Sequence, residues 1–420
     1  MLNAVRFMAA VVVLGVMVPA VSPMLVCSAA AQGSAGYEAP PVMLATEALP
    51  PDLVVGPDYR VEDFVYNDGA INKYQVTSTF GRASVQSTAL LRLRIGELRG
   101  LRRLEQLAAT DLYVRARQAA QTGALRDQKR LIVGEPAAGE GPSSGVGTFF
   151  GTSASVSGAD IAGDVTETAA RFDRFKRAFA YAAGFNPYSR FDAVQQNLRE
   201  FAWNCFAGGV SVEDAFAAIA DAPIQPVRVT AFEDAVNRRV RDESPAQLRE
   251  RNLAMLVAMG VDESVARLLQ SQSRYTPIAK TIITEALERM HDVRDRQVFV
   301  ERGALIEDTA MAQLLQGWAE LLAGYHTNIE PARAMLRLGQ SPFLLTADGK
   351  VVGVFAMDLL VWTPQTARAV DGVTAAVSRL PDVRGRELWF AGSVTPLTRR
   401  NLEQRGWKVQ EQAAAKLALR

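Results

Sequence analysis

One serine stands in the spacing of a hydrolase nucleophile. Gly141, Ser143 and Gly145 match the pattern G-x-S-x-G, in which a strained turn between a strand and a helix presents the serine hydroxyl to a histidine. Here the flanking residues are mostly Gly, Pro and Ala, and no strand pattern precedes them. Because such a segment cannot bury enough side chain to hold one conformation, we predict a flexible linker at Ser143 and no catalytic serine.

Histidine, the side chain best suited to proton transfer near neutral pH, occurs only twice, at His291 and His326. Neither belongs to a His-Glu-x-x-His motif or stands near a cysteine cluster, so a zinc site would need carboxylate ligands. His291 and Asp292 follow a predicted helix, whose C-terminal end stabilises a charged imidazole. We therefore expect His291 to cap that helix, and we predict neither a catalytic histidine nor a metal or cofactor site.

Adjacent carboxylates, which could supply a general acid and a general base, occur at four places. Neighbouring residues of a helix point about 100° apart, so a working pair needs a second carboxylate from a distant segment. Asp262 and Asp308 stand at predicted helix starts, where a carboxylate accepts free N–H groups, and capping is the interpretation for both. The four pairs are Glu62–Asp63, Glu233–Asp234, Asp262–Glu263 and Glu307–Asp308.

Two groups of residues could hold an anion. Ser393 and Thr395 lie where a predicted strand passes into a helix N-terminus, whose free N–H groups attract negative charge. Ser393 and Thr395 are therefore candidate anion ligands, but ordinary helix capping by the same residues is the favoured interpretation. The second group is arginine-rich and could bind phosphate, but a solvated helix face explains it better. Its members are Arg92, Arg94, Arg99, Arg102 and Arg103.

The N-terminus has the order of a secretory signal peptide. Arg6 precedes an uncharged apolar run over 7–18, and the small residues Ala29 and Ala31 supply an Ala-x-Ala cleavage site before Gln32. An uncleaved membrane anchor is the first alternative, because no charge appears between Phe7 and Ala31, although Pro19 and Pro23 interrupt this stretch. A lipoprotein site at Cys27 is the second, but the preceding Val26 is too large for it. We expect a periplasmic or secreted protein.

Removal of the signal peptide changes what the composition implies. The whole chain has 46 basic and 45 acidic side chains, and the loss of Arg6 leaves 45 of each. A balanced chain has no general attraction to nucleic acid, so we exclude a nucleic-acid partner. Cys205 is then the only cysteine, which excludes an intramolecular disulfide. It shares a helical face with Leu198 and Phe201, as an inert core cysteine does.

Local signals place the elements that must position these residues. A hairpin is predicted near Gly81, followed by a long helix from Ser87 or Thr88 whose apolar arc runs to Leu112. Asp348 and Gly349 suit the turn of a second hairpin. A hydroxyl residue followed by proline, which pairs an N-cap with a residue lacking an N–H, opens four helices. These pairs are Ser244–Pro245, Thr276–Pro277, Thr363–Pro364 and Thr395–Pro396.

The predicted fold class is α+β. It comprises an N-terminal β-hairpin and long helix, a central α-helical array, and a small C-terminal α/β unit with a β-hairpin and crossover helices. The predicted segments are a signal peptide (1–31), a proline-rich tether (32–58), the hairpin and long helix (59–133), a Gly/Ser/Ala-rich linker (134–163), the helical region (164–330), the α/β unit (331–411) and a tail (412–420).

These features favour an exported bacterial cell-envelope protein with a non-catalytic binding or assembly role, acting on an unknown envelope protein or small ligand. The main alternative is a periplasmic or secreted hydrolase that uses carboxylates at the cleft between the helical and C-terminal regions. A third hypothesis is an interaction module that binds a small anion at Ser393 and Thr395. Membrane contact by the apolar residues of 145–163 is a weaker alternative, because no Lys or Arg flanks them. The oligomeric state is left open.

Overall fold

The computed structural model describes residues 36–134, 159–219 and 230–419, with side chains of the second range from 165 onward. The predicted signal peptide with Ala29 and Ala31, and Ser143 with most of the predicted linker, lie outside the described residues. The described part contains a sheet near each end and helices between them, which confirms the α+β class. Within it, no helix is long and apolar enough to cross a membrane.

The N-terminal sheet is antiparallel. Its strands have the order β1-β4-β5-β3-β2, and β6 pairs with β5 as the predicted hairpin at Gly81, whose φ is 108°. The strands are β1 (Val42–Leu44), β2 (Val55–Gly56), β3 (Tyr59–Val61), β4 (Phe64–Asn67), β5 (Asn72–Ser78) and β6 (Gly81–Gln86).

The segment predicted as a proline-rich tether is folded from Val42 onward. Between β1 and β2 it forms the short helices α1 (Ala45–Ala48) and α2 (Pro51–Val54). Pro50 is the N-cap of α2 and Pro51 its first residue, where a missing N–H breaks no helical bond. Pro50 and Pro51, which suggest an extended tether in the sequence, therefore begin a helix.

The predicted long helix is two helices. As expected, α3 (Thr88–Ala108) begins after the N-cap Ser87, but it ends before Leu112. Thr110 then caps α4 (Asp111–Thr122), accepting the N–H of Tyr113 at 3.2 Å. The apolar arc continues across the break between α3 and α4, so the hydrophobic pattern of the sequence does not reveal it. A 3₁₀ turn (Arg126–Gln128) and α5 (Lys129–Val133) follow.

The helical region divides between two cores. Helices α6 to α8 pack with α3 and α4 on the N-terminal sheet, around Trp203 and Phe179. Helices α9 to α14 pack instead on one face of the C-terminal sheet, around Tyr325 and Phe299. The nine are α6 (Ala159–Ala183), α7 (Asp192–Ala207), α8 (Val212–Ala217), α9 (Ala231–Asp242), α10 (Pro245–Ala258), α11 (Glu263–Ser271), α12 (Pro277–Glu288), α13 (Gln297–Ala304) and α14 (Thr309–Asn328).

The C-terminal sheet has the order β13-β11-β9-β8-β7, with β9, β11 and β13 parallel and β7 to β9 an antiparallel meander. Two crossover helices, α15 and α16, cover the face opposite the helical array. The predicted hairpin at Asp348–Gly349 and both crossovers are confirmed. The elements are β7 (Ala332–Leu338), β8 (Ser341–Thr346), β9 (Lys350–Phe355), β10 (Leu359–Leu360), α15 (Pro364–Val377), β11 (Gly385–Phe390), β12 (Ser393–Val394), α16 (Pro396–Gln404) and β13 (Lys408–Gln410).

The predicted tail belongs to the core. Ala413, Leu417 and Leu419 are buried with the residues of α14. A Cβ atom on Gly324 of α14 would lie 1.7 Å from the carbonyl oxygen of Leu417, so the tail can lie this close only to a glycine.

A buried polar junction joins the two sheet units. Asp358, which follows β9, accepts the N–H of Asn72 at 2.9 Å and that of Thr88 at 3.0 Å. Its own N–H donates to the carbonyl of Ala70 at 3.0 Å. The amide of Asn67 donates to the carbonyl of Leu359 at 3.1 Å. Asp358 therefore connects the C-terminal unit to the start of α3 as well as to β5.

Candidate functional site

Two identical turn motifs begin the crossover helices. The sequence T-P-x-T occurs at 363–366, where α15 starts, and at 395–398, where α16 starts. In each motif the first threonine is the N-cap and accepts the N–H of the second, at 3.1 Å in both cases. The second threonine donates its hydroxyl back to a carbonyl at the end of β10, Thr366 to Val361 and Thr398 to Leu360. The two helix starts are therefore built in the same way.

The strands that lead into these turns are neighbours. β10 and β12 are parallel, with Leu360 opposite Val394, so their carboxyl ends lie at the same edge. Each strand end leads to a helix N-terminus, which carries free N–H groups and the positive end of a helix dipole. Two positive helix ends therefore lie at the carboxyl edge of this separate two-stranded sheet.

A carboxylate of the chain itself occupies this position. Glu38 Oε2 accepts the N–H of Trp362 at 3.0 Å and the hydroxyl of Thr395 at 2.5 Å. The N–H of Glu38 donates to the carbonyl of Trp362 at 2.9 Å. We call the site formed by the Trp362 backbone, the Thr395 hydroxyl and the starts of α15 and α16 the cradle.

The hydroxyl of Thr395 has a choice of acceptors. Its oxygen lies 2.8 Å from that of Thr398, but it has one proton, and an ionised carboxylate is the stronger acceptor. The Thr398 proton is directed to Leu360. Thr395 thus donates to Glu38 while its oxygen still caps α16, and without Glu38 it has Thr398 as a second acceptor.

Other charges near the cradle have partners of their own. Arg405 lies 4.9 Å from the ring centre of the buried Trp362, and its Nε donates to Asp371 at 2.6 Å. Glu411 accepts the N–H of Val394 at 2.5 Å and pairs with Arg399. Hydrogen-bond donors of the backbone and of Thr395 therefore form the cradle, and the charged side chains nearby are paired with other residues.

The sequence predicts Ser393 and Thr395 as anion ligands, and the structure separates them. Thr395 contacts the carboxylate of Glu38, whereas Ser393 uses its N–H for the carbonyl of Asp358 at 2.9 Å. Its hydroxyl makes no hydrogen bond to any described residue. Binding of an external anion by these two residues stays a prediction. The repeated T-P-x-T motif could have indicated that the start of α15 resembles that of α16, but no local signal marks Glu38.

His291 lines a second site, which we call the histidine cavity, and lies close enough to His326 to influence it electrostatically. It has a volume of about 430 Å³ and lies at the C-terminal ends of α10 and α12. Its lining combines three apolar side chains with charged groups and one imidazole. These residues are Met255, Ala258, Met259, Arg251, Glu288, His291, Asp292 and Arg296.

The loop between α12 and α13 shapes this cavity. Asp292 and Asp295 have φ values of 60° and 63°, a backbone region that costs most residues energy and that aspartate tolerates better. Between them, Arg294 accepts the N–H of Met335 at 2.9 Å and donates to Arg333 at 3.1 Å, which adds the loop to the edge of β7. The cavity therefore lies beside the junction of the helical array and the C-terminal sheet.

Arg296 has the capping role that the sequence assigns to His291. Its guanidinium donates to the carbonyls of Leu287, Met290 and Met259, at 3.2, 3.0 and 3.3 Å, at the ends of α12 and α10. A guanidinium reaches several carbonyls at once, which one imidazole cannot do. His291 is exposed on the cavity wall and makes no hydrogen bond to a described residue.

His326 is held as a neutral imidazole. Its Nδ1 accepts the N–H of Ala332 at 3.0 Å, so a proton on the neutral ring resides on Nε2. Burial lowers the pKa of His326, and the nearby His291 and Arg296 lower it further. Across the described residues, no three His, Cys, Asp or Glu side chains are grouped as metal ligands.

Most of the other candidates have structural roles. Asp262 and Asp308 cap α11 and α14 as predicted. Burial raises the pKa of the Cys205 thiol to about 12, which leaves it an unreactive core side chain. In the arginine-rich helix, Arg94 and Arg102 pair with glutamates three residues on, and Arg103 donates to the carbonyl of Ala182 at 2.6 Å.

One carboxylate pair from distant helices was not apparent in the sequence. Glu320 of α14 lies near Glu233 of α9, and burial together with this like charge raises the pKa of Glu320 to about 7. Glu233 itself accepts the N–H of Thr230 at 2.7 Å in a capping box. The pair depends on helix packing, which no local spacing encodes.

Similarity to known proteins gives no assignment. Comparison with protein-family models, with curated proteins and with solved structures finds no match to this chain. The functional conclusions therefore depend on the cradle and the histidine cavity alone.

Proposed function

We propose that this is an exported cell-envelope protein with a non-catalytic binding role, and that its C-terminal unit binds a carboxylate or a similar anion in the cradle. The observation that carries this proposal is the position of Glu38. Its carboxylate lies between two helix N-termini and accepts one backbone N–H and one hydroxyl there. The export part of the proposal depends on the predicted signal peptide.

The chemistry of the cradle suits binding. Its donors are the N–H of Trp362 and the hydroxyl of Thr395, and neither titrates near neutral pH. Both are held by the parallel pairing of β10 and β12 and by the turns that follow, so little side-chain freedom is lost when an anion binds. Two helix dipoles add to the attraction.

The first test measures anion binding with Glu38 removed. We expect the Glu38→Ala variant to bind inorganic phosphate or acetate in calorimetric titrations, and a further Ser393→Ala, Thr395→Ala change to abolish binding. Thr395→Ala also removes a helix cap, which costs about 1 kcal/mol of stability. Thr363→Ala removes the matching cap of α15 and should keep anion binding. Equal loss of binding in both, or no binding by Glu38→Ala, would contradict the proposal.

A second test addresses location. Cell fractionation with N-terminal sequencing should recover the protein outside the cytoplasm with a mature end near Gln32. Cytoplasmic recovery of an intact Met1 to Ala31 segment would refute export.

The hydrolase hypothesis has one observation in its favour. The histidine cavity is lined by residues of the helical region and has two carboxylates, Glu288 and Asp292, beside His291 on its wall. If the cavity is catalytic, wild-type protein should hydrolyse 4-nitrophenyl esters or glycosides, and Glu288→Gln or Asp292→Asn should abolish turnover. Equal rates for the wild type and both variants would exclude the cavity as the site.

A further inference from the structure

We infer that residues 36–40 are a built-in competitor for the cradle, and that the partner which displaces them is an extended acidic peptide. This inference rests on the proposed function, because it identifies the ligand class and the regulation of the same site. We call residues 36–40 the arm.

The hydrogen bonds of the arm are made by a single residue. Glu38 is partly buried, whereas Gly36, Ala39 and Pro40 are exposed, and 39% of the Tyr37 surface is accessible. All three hydrogen bonds of Glu38 described above go to Trp362 and Thr395. Loss of these bonds would therefore free the arm without exposing a fully buried side chain of its own.

The point at which the arm joins the fold is equally clear. The carbonyl of Pro41 accepts the N–H of Asn67 at 3.1 Å, and β1 begins at Val42 and pairs with β4. The chain is thus anchored in the N-terminal sheet immediately after the arm. Release of Glu38 leaves that sheet intact and leaves the cradle open.

The contacts of Glu38 describe the partner. Its N–H and its carboxylate engage the carbonyl and the N–H of the same residue, Trp362, so recognition combines one main-chain bond with one acidic side chain. A free phosphate or acetate ion supplies the anion but no N–H for the Trp362 carbonyl. Since Gly36, Ala39 and Pro40 are exposed, selectivity comes mainly from Glu38, with the partly covered Tyr37 as the second side chain of the arm that meets the protein. An extended peptide with a glutamate at its centre has the complete set of groups.

An occupied cradle lowers the apparent affinity for any external peptide. The measured dissociation constant is the intrinsic value divided by the fraction of molecules whose cradle is free. If the arm is closed in nine molecules of ten or more, its removal strengthens peptide binding by about tenfold or more. The Glu38→Ala change should therefore strengthen binding, although it deletes contacts from the folded protein.

The test uses the arm sequence itself as the probe. A fluorescent peptide with blocked ends, Gly-Tyr-Glu-Ala-Pro, is titrated into the purified protein and followed by anisotropy. We expect the Glu38→Ala variant to bind it about tenfold more tightly than the wild type, and the same peptide with glutamine in place of glutamate to bind neither. Glu62→Ala, which removes an exposed carboxylate elsewhere on the N-terminal sheet, should bind like the wild type.

Further variants separate the two proposals. Adding Thr395→Val to Glu38→Ala should abolish peptide binding, with thermal melts confirming that the protein remains folded. If Glu38→Ala binds phosphate but not the peptide, the anion site stands and the peptide inference fails. Equal peptide affinity of wild type and Glu38→Ala would show that the arm does not compete. Binding of neither probe would overturn both.

Discussion

At the scale of single residues, local chemistry in the sequence identified Thr395 but not the residue that it contacts. Thr395 could be predicted as an anion ligand because a Thr-Pro pair marks a helix start, whose donors favour anions. Its carboxylate partner, Glu38, is 357 residues away, and nothing in its neighbourhood distinguishes it. The same holds for the two histidines, which only packing brings together. Residue types predict what a group can bind, but not which group it meets.

His326 makes the free energy of unfolding depend on pH. Its folded pKa lies below the ordinary value of 6.5, so the unfolded chain takes up the proton first as the pH falls. The free energy of unfolding should therefore decrease as the pH drops below about 6.5 and level off beneath the folded pKa. Urea denaturation at pH 7.5 and 5.5 measures this loss. This loss of unfolding free energy should be smaller in His326→Gln, whereas His291→Gln should keep it. The reverse pattern would contradict the assignment of the effect to His326.

Glu320 has the opposite dependence. Burial raises its pKa from 4.5 to about 7, so the folded protein keeps a proton that the unfolded chain has already lost. Stability falls as the pH rises from about 4.5 to about 7 and stays lower above that range. We expect Glu320→Gln to be more stable than the wild type at pH 8, with a smaller difference at pH 5, in urea titrations. Glu307→Gln, at an exposed position, should show no such gain.

At the scale of elements, helix starts and hairpins were predictable because their signals are local. The caps at Ser87, Ser244, Thr276, Thr363 and Thr395 all begin helices, as the sequence indicates. Two features were not predictable. The break between α3 and α4 is hidden by a continuous apolar arc, and β10 and β12 are two-residue strands that exist only because they pair with each other. A two-residue strand has no periodicity to read.

Two glycines of α14 allow a matched test of the tail. Alanine is favoured over glycine inside a helix by roughly 0.5–1 kcal/mol, and open space surrounds Gly317. Gly317→Ala should therefore raise the free energy of unfolding by about that amount. Gly324→Ala should lower it, because the new Cβ would collide with the carbonyl of Leu417 and displace the tail. Equal effects in chemical denaturation would show that the tail does not pack as described.

At the scale of the whole molecule, the sequence suggested separate segments in series, whereas the structure has interlocked ones. The predicted helical region contributes to two cores, and the predicted tail is part of one of them. Neither outcome was accessible from local patterns, because an apolar helix face does not specify which sheet it will cover. Local patterns and the order of the elements predicted the α+β class and the two crossover helices. How the two sheet units pack together depends on long-range contacts, which local patterns do not encode.

The junction between the two sheet units depends on Asp358. Its carboxylate accepts two backbone N–H groups, and Asp358→Ala would leave both without this acceptor in a partly buried setting. We expect a loss of about 2–6 kcal/mol in unfolding free energy, from roughly 1–3 kcal/mol for each of the two groups. Asp358→Asn keeps one acceptor oxygen and should lose less. Hydrogen exchange should accelerate at Asn72 and Thr88 in the alanine variant; unchanged exchange there would contradict this role.

The hydrogen bond between Glu38 and Thr395 also has a consequence for the order in which the chain is made and folds. Synthesis proceeds from the N-terminus, and Thr395 follows Glu38 by 357 residues, so the arm is made long before α16. The arm therefore waits without its partner until α16 has been produced, and its closure reports that α16 has folded. A chain that stops before α16 keeps a free arm, which proteases can reach as they reach other loose segments. The contact that we propose regulates the cradle thus also distinguishes chains that contain α16 from shorter fragments.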